Sequence, residues 1–291
     1  MLTNSRRTAV LLSAVIASAL ILTACSGQAQ AESMPEVIKF GVPPGEADPA
    51  MLDEMQPVAD LIADATGLPV EVTKTSDYLA IVEAMRSKLL DVALFSPMPT
   101  VIAQDVANVK PLVAGLGAPY KALIICRPDA GVKSLADIQD HSFAFVDPGS
   151  TSGNYIPRLM LTRAGVDLDE LDSVFAGGHD VATLSVKQGS TDCAAVASML
   201  LPDMVEAGAI AESDYEIIAE SDPLPISIVI IARDGLDPAI TESITDAFVD
   251  SQSVDVLNVT GATELVRAED ADWTMFEDSA EELGLEFKDV E

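Results

Sequence analysis

Strand-like and helix-like patterns alternate along most of this chain and predict an α/β protein of two lobes. Three observations carry that expectation. Short apolar runs rich in β-branched residues recur between stretches of helical period. The turns after those runs are short and polar or glycine-containing: Gly41-Val42-Pro43, Ser76-Asp77-Tyr78, Ser96-Pro97, Gly149 to Ser152 and Gly178-His179-Asp180. Hydrophobic residues make up 49% of the chain and charged ones 22%, enough to fill two cores.

Residues 37–42 (VIKFGV) read as the first strand, followed by an amphipathic helix over 48–66 that Gly67 closes. Residues 70–74 form the second strand. A helix over 78–88 turns Leu79, Val82, Ala84, Met85 and Leu89 inward. The third strand is 92–95, ending at Ser96-Pro97, and 99–106 is helical. A new unit opens with the strand in 120–127 (YKALIICR). Its strands recur at 142–146, 173–176 and 193–197, with a helix over 155–164. Residues 227–232 are a further strand after a proline-rich turn, 238–251 is amphipathic, and 271–283 is the last helix. The chain therefore crosses between lobes near 118–121 and returns near 221–225. Lobe 1 is expected from 36–119 plus 223–291 and lobe 2 from 120–222, a mixed, mostly parallel sheet in each. Two crossings and a C-terminal return make a hinged clamshell. Ligands of open α/β sheets bind outside the carboxyl ends of the strands, so the short turns face the cleft.

The N-terminus carries an address. Arg6 and Arg7 precede the apolar run 9–22, which is too short to span a bilayer and reads as a secretory signal over 1–24. Leu22-Thr23-Ala24-Cys25 resembles a bacterial lipobox. That resemblance implies cleavage before Cys25, acylation of its thiol, and tethering to the outer face of the cytoplasmic membrane. Residues 25–35 serve as a flexible polar leash.

Formal net charge is −31, and becomes −33 when Arg6 and Arg7 leave with the signal, because no acid precedes Cys25. Such acidity argues against nucleic acid, whose phosphates demand clustered Lys and Arg. Distant surface carboxylates are screened beyond a Debye length of about 8 Å, so an anion site remains compatible with this charge if local donors dominate. Two histidines and no Cys-x-x-Cys or His-x-x-x-His spacing predict no metal and no cofactor. Cys126 and Cys193, in an oxidising compartment, read either as one disulfide or as two buried thiols.

The richest stretch is Val146-Asp147-Pro148-Gly149-Ser150-Thr151-Ser152-Gly153, between a buried strand and a helix. Ser150, Thr151 and Ser152 sit where that helix begins. A helix start offers unpaired N–H groups and positive potential, and suits a small oxyanion. Ser and Thr are also favoured there simply as N-caps. His179, in a Gly-Gly-His-Asp turn, reads as a site residue whose ring nitrogen Asp180 holds. His141, in a polar loop, reads as solvated.

These residues, taken in order, resemble a known family. Lys39-Phe40-Gly41-Val42-Pro43, Ser76-Asp77-Tyr78, Glu83-Ala84-Met85-Arg86, Asp91-Val92-Ala93 and Phe95-Ser96-Pro97 are collinear with its pattern. So are Lys133-Ser134-Leu135-Ala136-Asp137-Ile138, residues 143–153 (FAFVDPGSTSG) and Gly177-Gly178-His179-Asp180. Together they look like the phosphate/phosphite/phosphonate-binding subunit of ABC importers, a type II periplasmic-binding-protein fold in lipoprotein form. The resemblance covers roughly 37–237.

The resemblance implies a ligand set. Ser150, Thr151 and Ser152 would hold the oxygens of a phosphorus oxyanion, Tyr78 and Ser96 would reach it from lobe 1, Tyr120 from the hinge and His179 from lobe 2. It also implies a monomer that delivers its cargo to ABC permease subunits. In type II lobes the crossing strand lies antiparallel beside the third strand of the lobe it enters, which would bring Cys126 to Cys193 and favour a disulfide. No obvious acid stands at the end of strand 193–197 to receive an ammonium group, with Asp180 and Asp222 left open for that role, so the reading leans toward a cargo without an amine: phosphite, methylphosphonate or phosphate. Alternatives are the same fold holding a sulfonate or thiamine-like nutrient, or, remotely, a serine hydrolase using Ser150 or Ser152 with His179 and Asp180. Against the hydrolase, Thr151 takes the central place of the G-x-S-x-G pattern.

Overall fold

The computed structural model describes residues 35–43, 55–117, 120–251 and 253–285. The signal, Cys25, most of the leash and the first part of the helix expected over 48–66 lie outside the described residues. Along the chain run β1 (Ile38–Val42), α1 (Gln56–Thr66), β2 (Val70–Lys74), α2 (Tyr78–Arg86), β3 (Val92–Phe95), α3 (Pro97–Ala107) and β4 (Lys110–Leu116). Then come β5 (Ala122–Cys126), β6 (Phe143–Phe145), α4 (Ile156–Arg163), β7 (Ser173–Phe175), α5 (His179–Gln188), β8 (Cys193–Ala197), α6 (Leu200–Glu206) and β9 (Glu216–Glu220). β10 (Ile226–Ala232), α7 (Pro238–Ser251), α8 (Val254–Thr260), β11 (Glu264–Arg267) and α9 (Thr274–Glu282) complete the order.

Six strands form one sheet in the order β11-β4-β10-β3-β1-β2, and five form another in the order β7-β6-β8-β5-β9. β1 pairs in parallel with β2 and β3, whereas β10 lies antiparallel between β3 and β4. β6 pairs in parallel with β7 and β8, whereas β5 lies antiparallel between β8 and β9. Both sheets are mixed. Within each, four strands share a direction, β1 to β4 in the first and β6 to β9 in the second.

Apolar side chains cover both faces of each sheet. Phe40, Ile62 and Phe248 fill one face of the first, and Phe95, Met98 and Phe276 the other. Phe143 and Leu161 pack on one face of the second, with Val186 and Val196 opposite. The Phe95 cluster also takes in Tyr120, Tyr155, Ile156 and Ala197, so burial is continuous between the lobes. The two segments that cross between sheets bond to each other: Leu224 N–H donates to Tyr120 O at 2.8 Å, and Ser221 N–H to Ala122 O at 2.9 Å.

Local chemistry sets the helix ends. Gly67 closes α1 in the left-handed region at φ +69°, donating its N–H to Ala63 O. Asp77 caps α2, its side chain accepting from Ala80 N at 2.7 Å. α2 stops at Arg86 rather than 88, and Lys88 takes φ +57°. That turn breaks the helical register, so Leu90 enters the core at 3% exposure while Leu89, expected inside, stands 62% exposed. In the second sheet, Cys126 lies directly opposite Cys193 in the β5–β8 ladder, and a disulfide joins them. Arg127 N–H donates to Asp192 O in the next pair, so the cysteines occupy a non-hydrogen-bonded pair, where facing side chains come closest. Among the described residues no helix is long and apolar enough to cross a membrane.

Candidate functional site

The site grows from the end of β6. Asp147 opens a tight turn in which its Oδ1 accepts from Gly149 N (2.8 Å) and its backbone O from Ser150 N (3.0 Å). Ser150 is the N-cap of the adjoining helical turn, its Oγ accepting from Gly153 N at 3.0 Å. That first turn, Thr151–Tyr155, is a π-helix in which Tyr155 N–H reaches back to Ser150 O, and α4 continues from Ile156. The helix expected from 155 is therefore preceded by a wider turn. Residues 150–155 are all buried, and such π turns recur at functional sites.

Each hydroxyl of the Ser-Thr-Ser run has its own partner. Thr151 Oγ1 lies 2.6 Å from Ser96 Oγ and accepts from Met98 N at 2.9 Å. Ser96 is the N-cap residue of α3 but makes no side-chain cap bond, so a hydroxyl from the opposite lobe satisfies the start of that helix. Tyr120 Oη donates to Ser152 Oγ at 2.7 Å and accepts from the Ser152 backbone N–H. Tyr78 begins α2, and its ring stands 5.8 Å from that of Phe95. Gly149 presses against it so closely that a Cβ there would lie 2.3 Å from Tyr78 Cβ. Tyr78, Ser96, Tyr120, Ser150, Thr151 and Ser152 thus converge from both lobes and the hinge.

His179 does not sit in a turn; it is the first residue of α5, after Gly178. Its Nδ1 accepts from the backbone N–H of Ala197, at the end of β8, at 3.2 Å. That bond puts the neutral ring's proton on Nε2 and leaves it as a donor. Asp180 does not hold the ring: the backbone of Ala197 does so, and the buried Asp180 Oδ1 has no hydrogen-bond partner. The triad of the hydrolase alternative loses its orienting acid with it. His141 is not simply solvated either, since its Nδ1 lies 3.3 Å from Asp192 Oδ2 beside Arg127.

Burial tunes these groups toward neutrality. It drives the Tyr78 phenol far above its ordinary value, helped by the nearby Tyr120 and Asp147, and pushes Tyr120 up to about 12. It lowers His179 from 6.5 to about 4. The three rings are therefore uncharged donors at neutral pH. Because the folded His179 refuses a proton that the unfolded chain accepts, stability should fall as pH drops from about 6.5 to about 4. The loss at the acid end should be about 3 kcal/mol and absent from His179→Gln, as read by urea unfolding at several pH values. Equal acid sensitivity in both proteins would refute the assignment.

Three contributors escape a reading of the sequence. Asp147, 3% exposed, has a carboxyl raised by burial and offset in part by the amides of Gly149 and Tyr78. Its Asp-Pro-Gly setting reads as a turn former, which hides that burial. Met98 contributes a backbone N–H, which no side-chain pattern reveals. Asn154, 4% exposed, donates Nδ2–H to Pro148 O at 2.6 Å and braces the turn. Among the described residues no cluster of three or more His, Cys, Asp or Glu could hold a metal.

Residues 40–273 match the family model of the periplasmic substrate-binding protein of phosphonate ABC transporters. The chain belongs to that family. It is 31% identical over 257 residues to the phosphate-import protein PhnD of Mycolicibacterium smegmatis, covering 81% of this chain and 80% of that protein. Identity to the phosphonates-binding periplasmic protein of Escherichia coli is 23% over 249 residues, covering 82% and 73%. The solved structure of PhnD1 from Prochlorococcus marinus in complex with methylphosphonate superposes with a TM-score of 0.74 at 19% identity, covering 86% of this chain and 99% of that one. The fold is thus the type II periplasmic-binding-protein clamshell. As a family member, the chain is an extracytoplasmic binding component of an ABC transporter.

Proposed function

We propose that this protein captures a small phosphorus oxyanion, namely phosphite, a phosphonate or phosphate, between its lobes and delivers it to ABC permease subunits. In this reading it works as a monomer held to the outer face of the cytoplasmic membrane by lipid on Cys25. The lobes, 36–119 with 223–291 and 120–222, swing about the paired crossing segments. The observation that carries the reading is the meeting of neutral donors from both lobes, with Ser96 Oγ 2.6 Å from Thr151 Oγ1 and Tyr120 bonded to Ser152.

A tetrahedral oxyanion has several acceptor oxygens, and in this reading the hydroxyl, phenol and imidazole groups of Tyr78, Ser96, Tyr120, Ser150, Thr151, Ser152 and His179 would receive them. An anion bonded to both lobes at once binds the closed form more tightly than the open one. It therefore shifts the population toward the form the permease reads. Oriented neutral donors select by geometry and protonation state, whereas a desolvated Lys or Arg would hold anions with less discrimination. Asp147, the buried carboxylate at this point, already accepts the turn amide of Gly149. That leaves it badly placed to receive an ammonium group and supports a cargo without an amine. The phosphate-import relative and the methylphosphonate-bound neighbour point the same way.

Titration calorimetry of the mature domain without Cys25 tests this against phosphite, methylphosphonate, phosphate and 2-aminoethylphosphonate. Micromolar or tighter binding is expected for at least one of the first three. Ser152→Ala should weaken it by about 10- to 100-fold, the loss of one hydrogen bond to a charged group. No heat from any of the four would discard the phosphorus assignment and send the search to sulfonates.

A further inference from the structure

Helix α3 starts in an unusual way. Pro97, its first residue, has no N–H, so Met98 carries the first amide that needs a partner. A serine at the N-cap ordinarily turns its own oxygen onto that amide or the next one. Ser96 occupies the N-cap with extended backbone, yet its hydroxyl makes no such bond. The Met98 N–H goes instead to Thr151 Oγ1 at 2.9 Å. Ser96 follows β3 of the six-stranded sheet, whereas Thr151 opens the π turn after β6 of the five-stranded one. The cap of α3 therefore comes from the other sheet.

The hydroxyls of the run divide their work. Ser150 Oγ accepts from Gly153 N within its own turn, and Ser152 Oγ accepts from Tyr120 on the crossing segment. Thr151 is the one of the three that reaches α3. Its Oγ1 also lies 2.6 Å from Ser96 Oγ, and its N–H points to that same oxygen at 3.4 Å. A hydroxyl has one proton and two lone pairs. Of the two protons in the Ser96–Thr151 pair, one lies between the oxygens and one is left to meet an oxygen of the cargo. The lone pair that takes the Met98 amide serves the junction of the sheets and no ligand. Ser96, Met98 and Thr151 are all buried, so water does not replace a bond lost there while the sheets stay together.

We propose that Thr151 is a positioning residue that latches the lobes: its hydroxyl caps α3 from across the cleft, so part of the drive for closure is built into the chain and does not come from the cargo. The inference rests on the reading of the two sheets as lobes that close on a phosphorus oxyanion. Opening parts Thr151 from Met98 and returns both to water; closing restores the cap. The apparent affinity for cargo scales with the fraction of the protein in the binding-competent form, so a latch that raises this fraction raises affinity without touching the cargo.

The latch is tested by residue-resolved hydrogen exchange of the Met98 amide in the mature domain without added ligand, alongside calorimetry with phosphite, methylphosphonate and phosphate. In the parent protein this amide should be protected. Thr151→Val keeps the shape and removes the oxygen, and should speed Met98 exchange by about tenfold or more and weaken binding by about tenfold. Thr151→Ser keeps the oxygen and should stay close to the parent in both readouts. Ser96→Ala should leave Met98 protected, since the cap is not its own. Thr151→Ala stands in for the valine variant should that one fail to fold. A Met98 amide that exchanges equally fast in the parent and in Thr151→Val would overturn the proposal, and so would protection lost in Ser96→Ala but kept in Thr151→Val. Weakened binding with unchanged Met98 exchange would make Thr151 a contact of the cargo alone and overturn the latch as well. Failure of all three ligands to bind would remove the phosphorus assignment, while the exchange of Met98 would still decide the latch.

Discussion

Gly149→Ala is expected to weaken ligand capture by about 10- to 100-fold while leaving the unfolding of the ligand-free protein nearly unchanged. The reason is geometric. A Cβ on Gly149 would lie 2.3 Å from Tyr78 Cβ and 3.2 Å from its Cγ. Those atoms sit at the root of a side chain fixed to the start of α2, and cannot rotate away. Gly149 is not in the left-handed region, so alanine brings no backbone strain of its own. Gly149 and Tyr78 belong to different lobes, and the clash exists only when the cleft is shut. The open form is untouched, whereas closure carries an overpacking cost of about 1–3 kcal/mol. That cost appears as lost affinity, because only the closed form engages the anion from both sides. Gly153→Ala makes the control: its Cβ would meet Val146 Cβ at 2.4 Å within the same lobe, so it should lower stability with or without ligand. Calorimetry and thermal unfolding, each with and without ligand, separate the two. Parent-like affinity in Gly149→Ala would show that closure does not press this turn onto α2.

Replacing Cys126 and Cys193 by alanine should lower stability by about 2–4 kcal/mol and the melting temperature by on the order of 10 °C. The bridge joins residues 67 apart in sequence, and the chain-entropy account gives about 4 kcal/mol as its upper value. Both residues are buried, at 1% and 0% exposure, and lie within the β5–β8 ladder. The bridge therefore ties the strand that enters lobe 2 to that lobe's central strand. The effect should appear in unfolding with and without reductant, and ligand affinity should change little, since the pair lies at the end of the ladder away from Ala197 and the His179 contact. Two free thiols titrated in the unreduced mature domain would exclude the bond. Reduction that leaves the melting point unmoved would assign stability to packing alone.

Much of the fold is legible in local pattern. The runs at 92–95 and 193–197 are apolar throughout because helices or loops cover both faces of the central strands, and such runs read as strands without help from context. The helix stop at Gly67 is legible for a different reason, since it takes the left-handed conformation that glycine permits without a steric penalty. Leu89 reads as an inward residue only if the helical period of α2 is continued past its true end. Nothing local announces that Lys88 adopts φ +57° and that Leu90 takes the inward place. The hydroxyl run is legible as the start of a helix, but the π turn that spreads Ser150, Thr151 and Ser152 toward different partners is not. His179 is legible as a site candidate and its partner is not. Asp180 is adjacent in sequence, yet its place in the first turn of α5 leaves the ring to a backbone N–H from β8.

The sequence by itself determined the alternation of strands and helices and the Ser150-Thr151-Ser152 run at a helix start. Each of these depends on periodicity, turn chemistry or capping, which act over a few residues. The tertiary structure alone decided which groups meet across the cleft. Thr151 satisfies the amide of Met98, Tyr120 closes on Ser152, and Gly149 lies against Tyr78. Those partners are separated by between 32 and 71 residues of chain. Their meeting depends on how two sheets are brought together by the packing around Phe95, Tyr155 and Phe276, which no local propensity encodes.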